Sequence, residues 1–305
     1  MGVEAGAGPL SAVSYNPSSA LNLTTGSYAF ATSGMGAPEI VSESGATAGQ
    51  VVATGLNVGN VAVFAFTSVN IATGVSLTAS ATNPTGPIAL LSASSAVING
   101  QINLSAFSLT GGPGSNESAQ GVGGAGGWVR DPNAPPGPSG YASGGGGGGG
   151  FGGMGGAGGS ATPIDPFYSN VPTAAGGAGG GGYFSLADKL QGGFSGGGSS
   201  SAGFGQSIGG GGGGAIELGA AGLLSVGGTI TAFGGYGYTA GGGGGSGGGI
   251  FLHGTSVAIS GNLNVQGGAG ASASSDSDTV YGAGGGGSGG LILAEYAQSG
   301  SYTFT

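Results

Sequence analysis

The side chains able to do chemistry are few and scattered. His253 is the only histidine, and the chain has no cysteine. A catalytic imidazole needs an acid to orient it and a nucleophile to activate. Ser246 and Ser256 are close to His253 in sequence, but no acidic residue lies within twenty positions of it. His253 therefore reads as a surface or turn histidine. The acids are spread out as Glu4, Glu39, Glu43, Glu117, Asp131, Asp165, Asp188, Glu217, Asp276, Asp278 and Glu295. A carboxylate pair of the kind that hydrolyses glycosides is a spatial arrangement, and this scattered spacing leaves it open. Asp276-Ser-Asp278 offers two carboxylates, where calcium takes six to eight oxygens. The calcium-binding G-G-x-G-x-D repeat is also absent, so a solvated loop is expected. Gly209–Gly214 precedes a strand instead of opening a helix, which removes the phosphate-cradle reading. No catalytic, metal or cofactor residue is assigned, and the chain is expected not to be an enzyme.

The aromatics are more informative. Trp128, Tyr141, Phe167 and Tyr168 stand beside glycine tracts. They either fill the edges that glycine leaves bare or form a stacking surface for a glycan or protein partner. These four are the candidate contact residues, in segments 128–141 and 163–172.

The elements that must carry them follow from composition. Of 305 residues, 83 are Gly and 4% are charged, yet 38% are apolar. Ordinary domains are about 25% charged and about 7% Gly. Disordered chains are apolar-poor and highly charged, so this chain can still bury a core between its glycines. Arg130 and Lys189 are the only cations, too few to neutralise a nucleic-acid backbone. No apolar run reaches the length of a membrane helix. The start, MGVEAGAGPL, lacks the basic and apolar regions of a signal peptide, so a removed leader or another export route is expected.

Period-two alternation in Val61–Phe66 puts Val63 opposite Phe64 and Phe66, and Val69, Ile71, Val75 and Leu77 continue it. Phe184–Leu190 is the best candidate for a short helix. A repeat carries the most information. Ile88-Ala-Leu90 aligns with Ile216-Glu-Leu218, Ile250-Phe-Leu252 and Leu291-Ile-Leu293. The first three copies continue through Ile98, Gly100, Ile102; Val226, Gly228, Ile230; and Ile259, Gly261, Leu263. Each copy is too small to close a core alone, but stacked copies would bury a continuous apolar column. The expected fold is all-β, with parallel β-helix (solenoid) rungs. A β-sandwich of the same short strands is the competing reading.

Between copies, tracts such as Gly152-Gly-Met154, Gly155-Gly-Ala157, Gly158-Gly-Ser160 have a period of three. They read either as flexible spacers or as polyglycine II rods. Such a rod has the three-residue turn of polyproline II, and its neighbours pair their N–H and C=O groups. Three regions are expected within one continuous domain: a β-rich 1–116, a glycine-rich insertion 117–214, and further rungs over 215–305.

The aliphatic repeat with spacers such as Gly241–Gly249 resembles glycine-rich parallel β-helix proteins of bacterial cell envelopes, the type sorted by a PEP-CTERM tail. The glycine triplets are similar to the polyglycine II tracts of phage tail-fibre adhesins, and to the glycine-rich antifreeze proteins of snow fleas. The resemblance implies an extracellular or cell-surface protein without cofactor. The leading expectation is self-assembly into a filament, sheath or matrix. Its contacts would be Leu21, Leu23, Tyr28 and Phe30 at one end and Leu291, Leu293, Tyr302 and Phe304 at the other. The alternative is an adhesin that binds a cell-surface glycan or outer-membrane protein through loop tips; ice binding comes third.

Overall fold

The computed structural model describes residues 9–32, 36–79, 86–115, 122–130, 141–163, 172–182, 184–199, 208–238, 241–275, 279–296 and 301–302. There the chain is all-β, with only two short 3-10 turns, Ala12–Tyr15 and Gly45–Thr47. The helix expected over Phe184–Leu190 is a turn at 186–188. Leu186 and Leu190 are drawn into two different apolar clusters, and a single turn of helix does not repay its nucleation cost.

The strands lie in sheets of ten, seven and four. In the largest, Ile88–Ser92 lies parallel between Val61–Phe66 and Ala215–Val226. Gly249–Ile259 and then Leu291–Tyr296 follow, also parallel. The register stacks like on like. One column is Ala62, Ile88, Ile216, Ile250, Ile292, and the next is Phe64, Leu90, Leu218, Leu252, Ala294. Farther along, Ile71, Ile98, Val226 and Ile259 align. In the seven-stranded sheet Leu77, Ile102, Ile230 and Leu263 do the same. Apart from Ile292, the side chains of these columns face inward and make one core. Each fully buried aliphatic side chain there contributes about 1.5–3 kcal/mol. The repeated glycines have a packing reason. A Cβ on Gly228 would run into the carbonyl oxygen of Gly100, and one on Gly261 into that of Gly228.

The last copy departs from the sequence alignment by one residue. Ile250 lies opposite Ile292, not Leu291. The glycine tracts upstream set this register, through Gly247 N–H to Ser288 O and Leu291 N–H to Gly248 O. A one-residue slip exchanges the faces of a strand. Ile292 and Ala294 therefore extend the inner columns, while Leu291 and Leu293 pack outward, against Phe151, Leu186 and Phe194 and against the outer cluster of Val61, Val63 and Phe251.

The two ends of the stack differ. At the N-terminal end, Pro38–Ser42 and Val51–Thr54 add antiparallel strands beyond Ser27–Thr32, and Leu56–Val58 adds one to Val61–Phe66. At the other end, Leu291–Tyr296 pairs on one side only among the described residues, and Ile292 is 41% exposed.

The glycine tracts form a second structure, built from backbone. Ten straight segments run alternately up and down: 122–127, 144–150, 152–160, 175–182, 192–198, 209–214, 233–238, 241–248, 266–271 and 282–290. In segment 144–150 every third residue shares a neighbour. Gly144 and Gly147 donate to Gly127 and Gly124, Gly145 and Gly148 to Gly159 and Gly156, and Gly146 and Gly149 to Gly241 and Gly244. The same segment accepts from Gly177 and Gly180, from Gly197, and from Gly285 and Ser288, giving it six neighbours. Segment 241–248 has six as well, donating to 192–198, 233–238 and 282–290 and accepting from 144–150, 209–214 and 266–271. The ten segments thus stack as layers of three, four and three around two fully surrounded centres. These bonds lie within one chain and answer the requirement that buried backbone groups be paired.

Candidate functional site

The hydrogen-bond register places one set of segment ends together. Gly144 meets Gly127, Gly145 meets Gly159 and accepts from Gly177, Gly196 meets Gly210, Gly237 meets Ala269, and Gly284 meets Ala271. The segment ends at 127 and 144, 160 and 175, 198 and 209, 238 and 241, and 271 and 282 therefore all lie at a single tip. The ten-stranded sheet lies at the opposite end, since 214, 248 and 290 lead directly into its strands.

At the tip lies the four-stranded sheet of Trp128–Arg130, Tyr141–Ser143, Thr279–Tyr281 and Ser274–Ser275. Ala142 of this sheet is buried together with Ala161 and Ala174, and Val129 and Val280 pack against them. Trp128 prolongs the outward edge of segment 122–127 three residues beyond Ala125, so its ring stands at the rim and is half-exposed. It lies 6.3 Å from the Tyr141 ring, and the Arg130 guanidinium is 5.7 Å from the centre of that same Tyr141 ring. Cation–π contact holds such an arginine in place. Thr162 and Thr173 present exposed hydroxyls 3.0 Å apart. Ile208 and Tyr238, joined by a backbone bridge, add exposed apolar surface. The structure thus brings Trp128 and Tyr141 together. Phe167 and Tyr168 lie outside the described residues. Tyr238 is one of the aromatics that the sequence sets beside a glycine tract, whereas Ile208 carries no signal beyond its place at a tract end.

The residues expected to dock on a neighbour are placed otherwise. Leu21, Leu23 and Phe30 are core side chains, and Tyr28 packs against them. Apolar residues on the inner face of a stacked strand are consumed by that stack, so they offer no docking surface. Leu291 and Leu293 are partly covered as described above. Tyr302 lies in a short strand, Ser301–Tyr302, against Gly249–Ile259, and Phe304 is outside the described residues.

His253 is neither alone nor in a turn. It sits within the strand Gly249–Ile259, and its Nε2–H donates to Glu217 Oε1 at 2.9 Å. The side chains are 14% and 3% exposed. The ring lies over Gly219, where a Cβ would strike it. The same Glu217 oxygen accepts the Leu10 N–H at 2.6 Å. A carboxylate this buried requires such donors. Burial, and then the Glu217 charge, push the Tyr15 phenol above its ordinary pKa. A groove of about 420 Å³ opens beside the pair, lined in part by Leu10, Thr255, Glu295 and Tyr296. Glu217 and His253 are thus engaged in holding the N-terminal segment. Among the described residues no three His, Asp or Glu side chains gather as metal ligands, and no helix is long and apolar enough to cross a membrane.

Comparison with known protein families, curated proteins and solved structures gives no match to this chain.

Proposed function

We propose that this chain is a non-catalytic, extracellular adhesin. In this reading the parallel stack is a short β-helix that serves as a base. The glycine segments are polyglycine II rods that form a stiff stalk, and the tip binds a cell-surface glycan or outer-membrane protein. The observation that carries the reading is the convergence of five pairs of segment ends at one tip, with Trp128, Tyr141 and Arg130 on its sheet. Rigid scaffolds that present loops are the usual platform for recognition. Aromatic and arginine side chains supply most of the energy at such surfaces. The test is attachment to host-type cells by wild type and by Trp128→Ala with Tyr141→Ala. At least a tenfold loss of binding at unchanged Tm is expected. Unchanged attachment would defeat the proposal.

Self-assembly is kept as a second reading, on the open edge of Leu291–Tyr296. Exposed edges template pairing. A head-to-tail filament, however, needs a matching second end, and antiparallel strands occupy the other. Electron microscopy decides: uniform fibres favour assembly, discrete particles the adhesin.

A further inference from the structure

The first residues described lie on the outside of the large sheet. Leu10, Ala12 and Tyr15 cover an apolar strip made by Val61, Val63, Ala89, Leu91 and Phe251. Very little ties them down. The turn Ala12–Tyr15 is held by bonds within itself, Ser14 N–H to Ser11 O and Asn16 N–H to Val13 O. Among the described residues, one hydrogen bond joins residues 9–18 to the rest of the chain, from Leu10 N–H to Glu217. The next anchor is Thr67 N–H to Ser19 O. Between the two, Asn16 adopts a left-handed φ of 45° and is followed by Pro17. A left-handed non-glycine residue carries strain, and a short strained hinge favours exchange of the element it joins.

We infer that residues 9–16 are an exchangeable arm and that its partner is a second copy of this chain. Each copy lays its arm on the other's apolar strip. The occupant is argued from the fit already present: the same three side chains, and the same Leu10 N–H facing the buried Glu217, recur unchanged when the arm comes from another molecule. Exchange of an identical element is a low-cost route to a symmetric dimer. His253, fixed over Gly219, is a positioning residue here, because its Nε2–H holds the Glu217 carboxylate toward Leu10. The inference stands independently of what the tip binds. Its consequence would be two tips on one particle, which raises avidity without any new contact.

The experiment is size-exclusion chromatography with light scattering across a hundredfold range of concentration. It is run on the full chain and on a chain lacking residues 1–16, with hydrogen exchange of the full-length Glu217→Ala variant. The expected results are a concentration-dependent dimer of the full chain, a monomer at every concentration without the arm, and at least tenfold faster exchange at the Leu10–Tyr15 amides in E217A. In that variant, the amides of Ile88–Ser92 should stay protected. A full chain that is monomeric throughout, or a dimer that survives removal of the arm, overturns the inference. So does arm exchange at the wild-type rate, or loss of protection in arm and sheet together. Should the shortened chain fail to fold, the E217A exchange pattern and the full-length dimer decide.

Discussion

The base and the bundle solve the same packing problem with opposite materials. In the base, side chains make the core: Ile216 packs between Ile88 and Ile250, and the backbone bonds only sideways. In the bundle there are almost no side chains, and each inner segment bonds to six neighbours. The base tolerates a change of shape at the expense of a cavity. The inner segments of the bundle have no free volume, because the space a methyl would fill is held by a carbonyl of the next segment. Close approach of backbones is the reason for glycine there, and it outweighs the entropy that ordering glycine costs.

The sharpest way to break this contrast is Gly148→Ala. Its Cβ would collide with the Gly286 carbonyl, and the surrounding segments cannot yield singly. A loss of more than about 4 kcal/mol, or no folded protein, is expected. Gly286→Ala, where nothing but Gly268 O lies within 4 Å, at 3.9 Å, should change urea stability by no more than about 0.5 kcal/mol. Equal effects would dissolve the distinction between inner and outer glycines. Next in size is Leu90→Ala in the base, a cavity substitution that should cost about 2–5 kcal/mol. Ile292→Ala, at the open end of the neighbouring column, should cost clearly less by the same measurement. Ser246→Ala probes the one fully buried hydroxyl of the bundle. It would leave the Phe194 N–H without the Oγ it reaches at 2.8 Å, at a cost of about 1–3 kcal/mol.

The smallest effect concerns the arm. The folded state raises the Tyr15 pKa, by burial first and the Glu217 charge second. The resulting stability is complete below the ordinary phenol pKa of about 10 and is lost as pH rises past it toward the folded value. Alkaline titration of Tm should therefore fall more steeply for wild type than for Tyr15→Phe. Identical slopes would show that Tyr15 ionises freely.

Much of the base was legible because its signal is side-chain identity at fixed spacing. Ile88, Ile216 and Ile250 align in sequence and lie side by side in space, as do Gly100, Gly228 and Gly261. The Leu291–Leu293 copy lies one position away from its sequence alignment, since Leu-Ile-Leu offers an aliphatic residue in either register and only the incoming glycine tract decides. The pairing of His253 is hidden from a local reading for a related reason. Its partner Glu217 is remote in sequence, yet the alignment of 216–218 with 250–252 already put the two on adjacent strands two positions apart. The three-residue period of the tracts was visible too. Which tract meets which was not, since every glycine presents the same edge to every neighbour.

That sameness has a consequence for how the lattice finds its alignment. Sliding one segment by three residues would restore every N–H to a carbonyl, so the bundle by itself has many equivalent registers. Ser246 and Ser288 are not equivalent to glycine: their hydroxyls take the N–H groups of Phe194 and Phe151, whose rings meet Phe184 in one cluster. They act as index marks on an otherwise unruled scale. Two hydroxyls and three rings carry the addressing information for a lattice that contains almost none of its own.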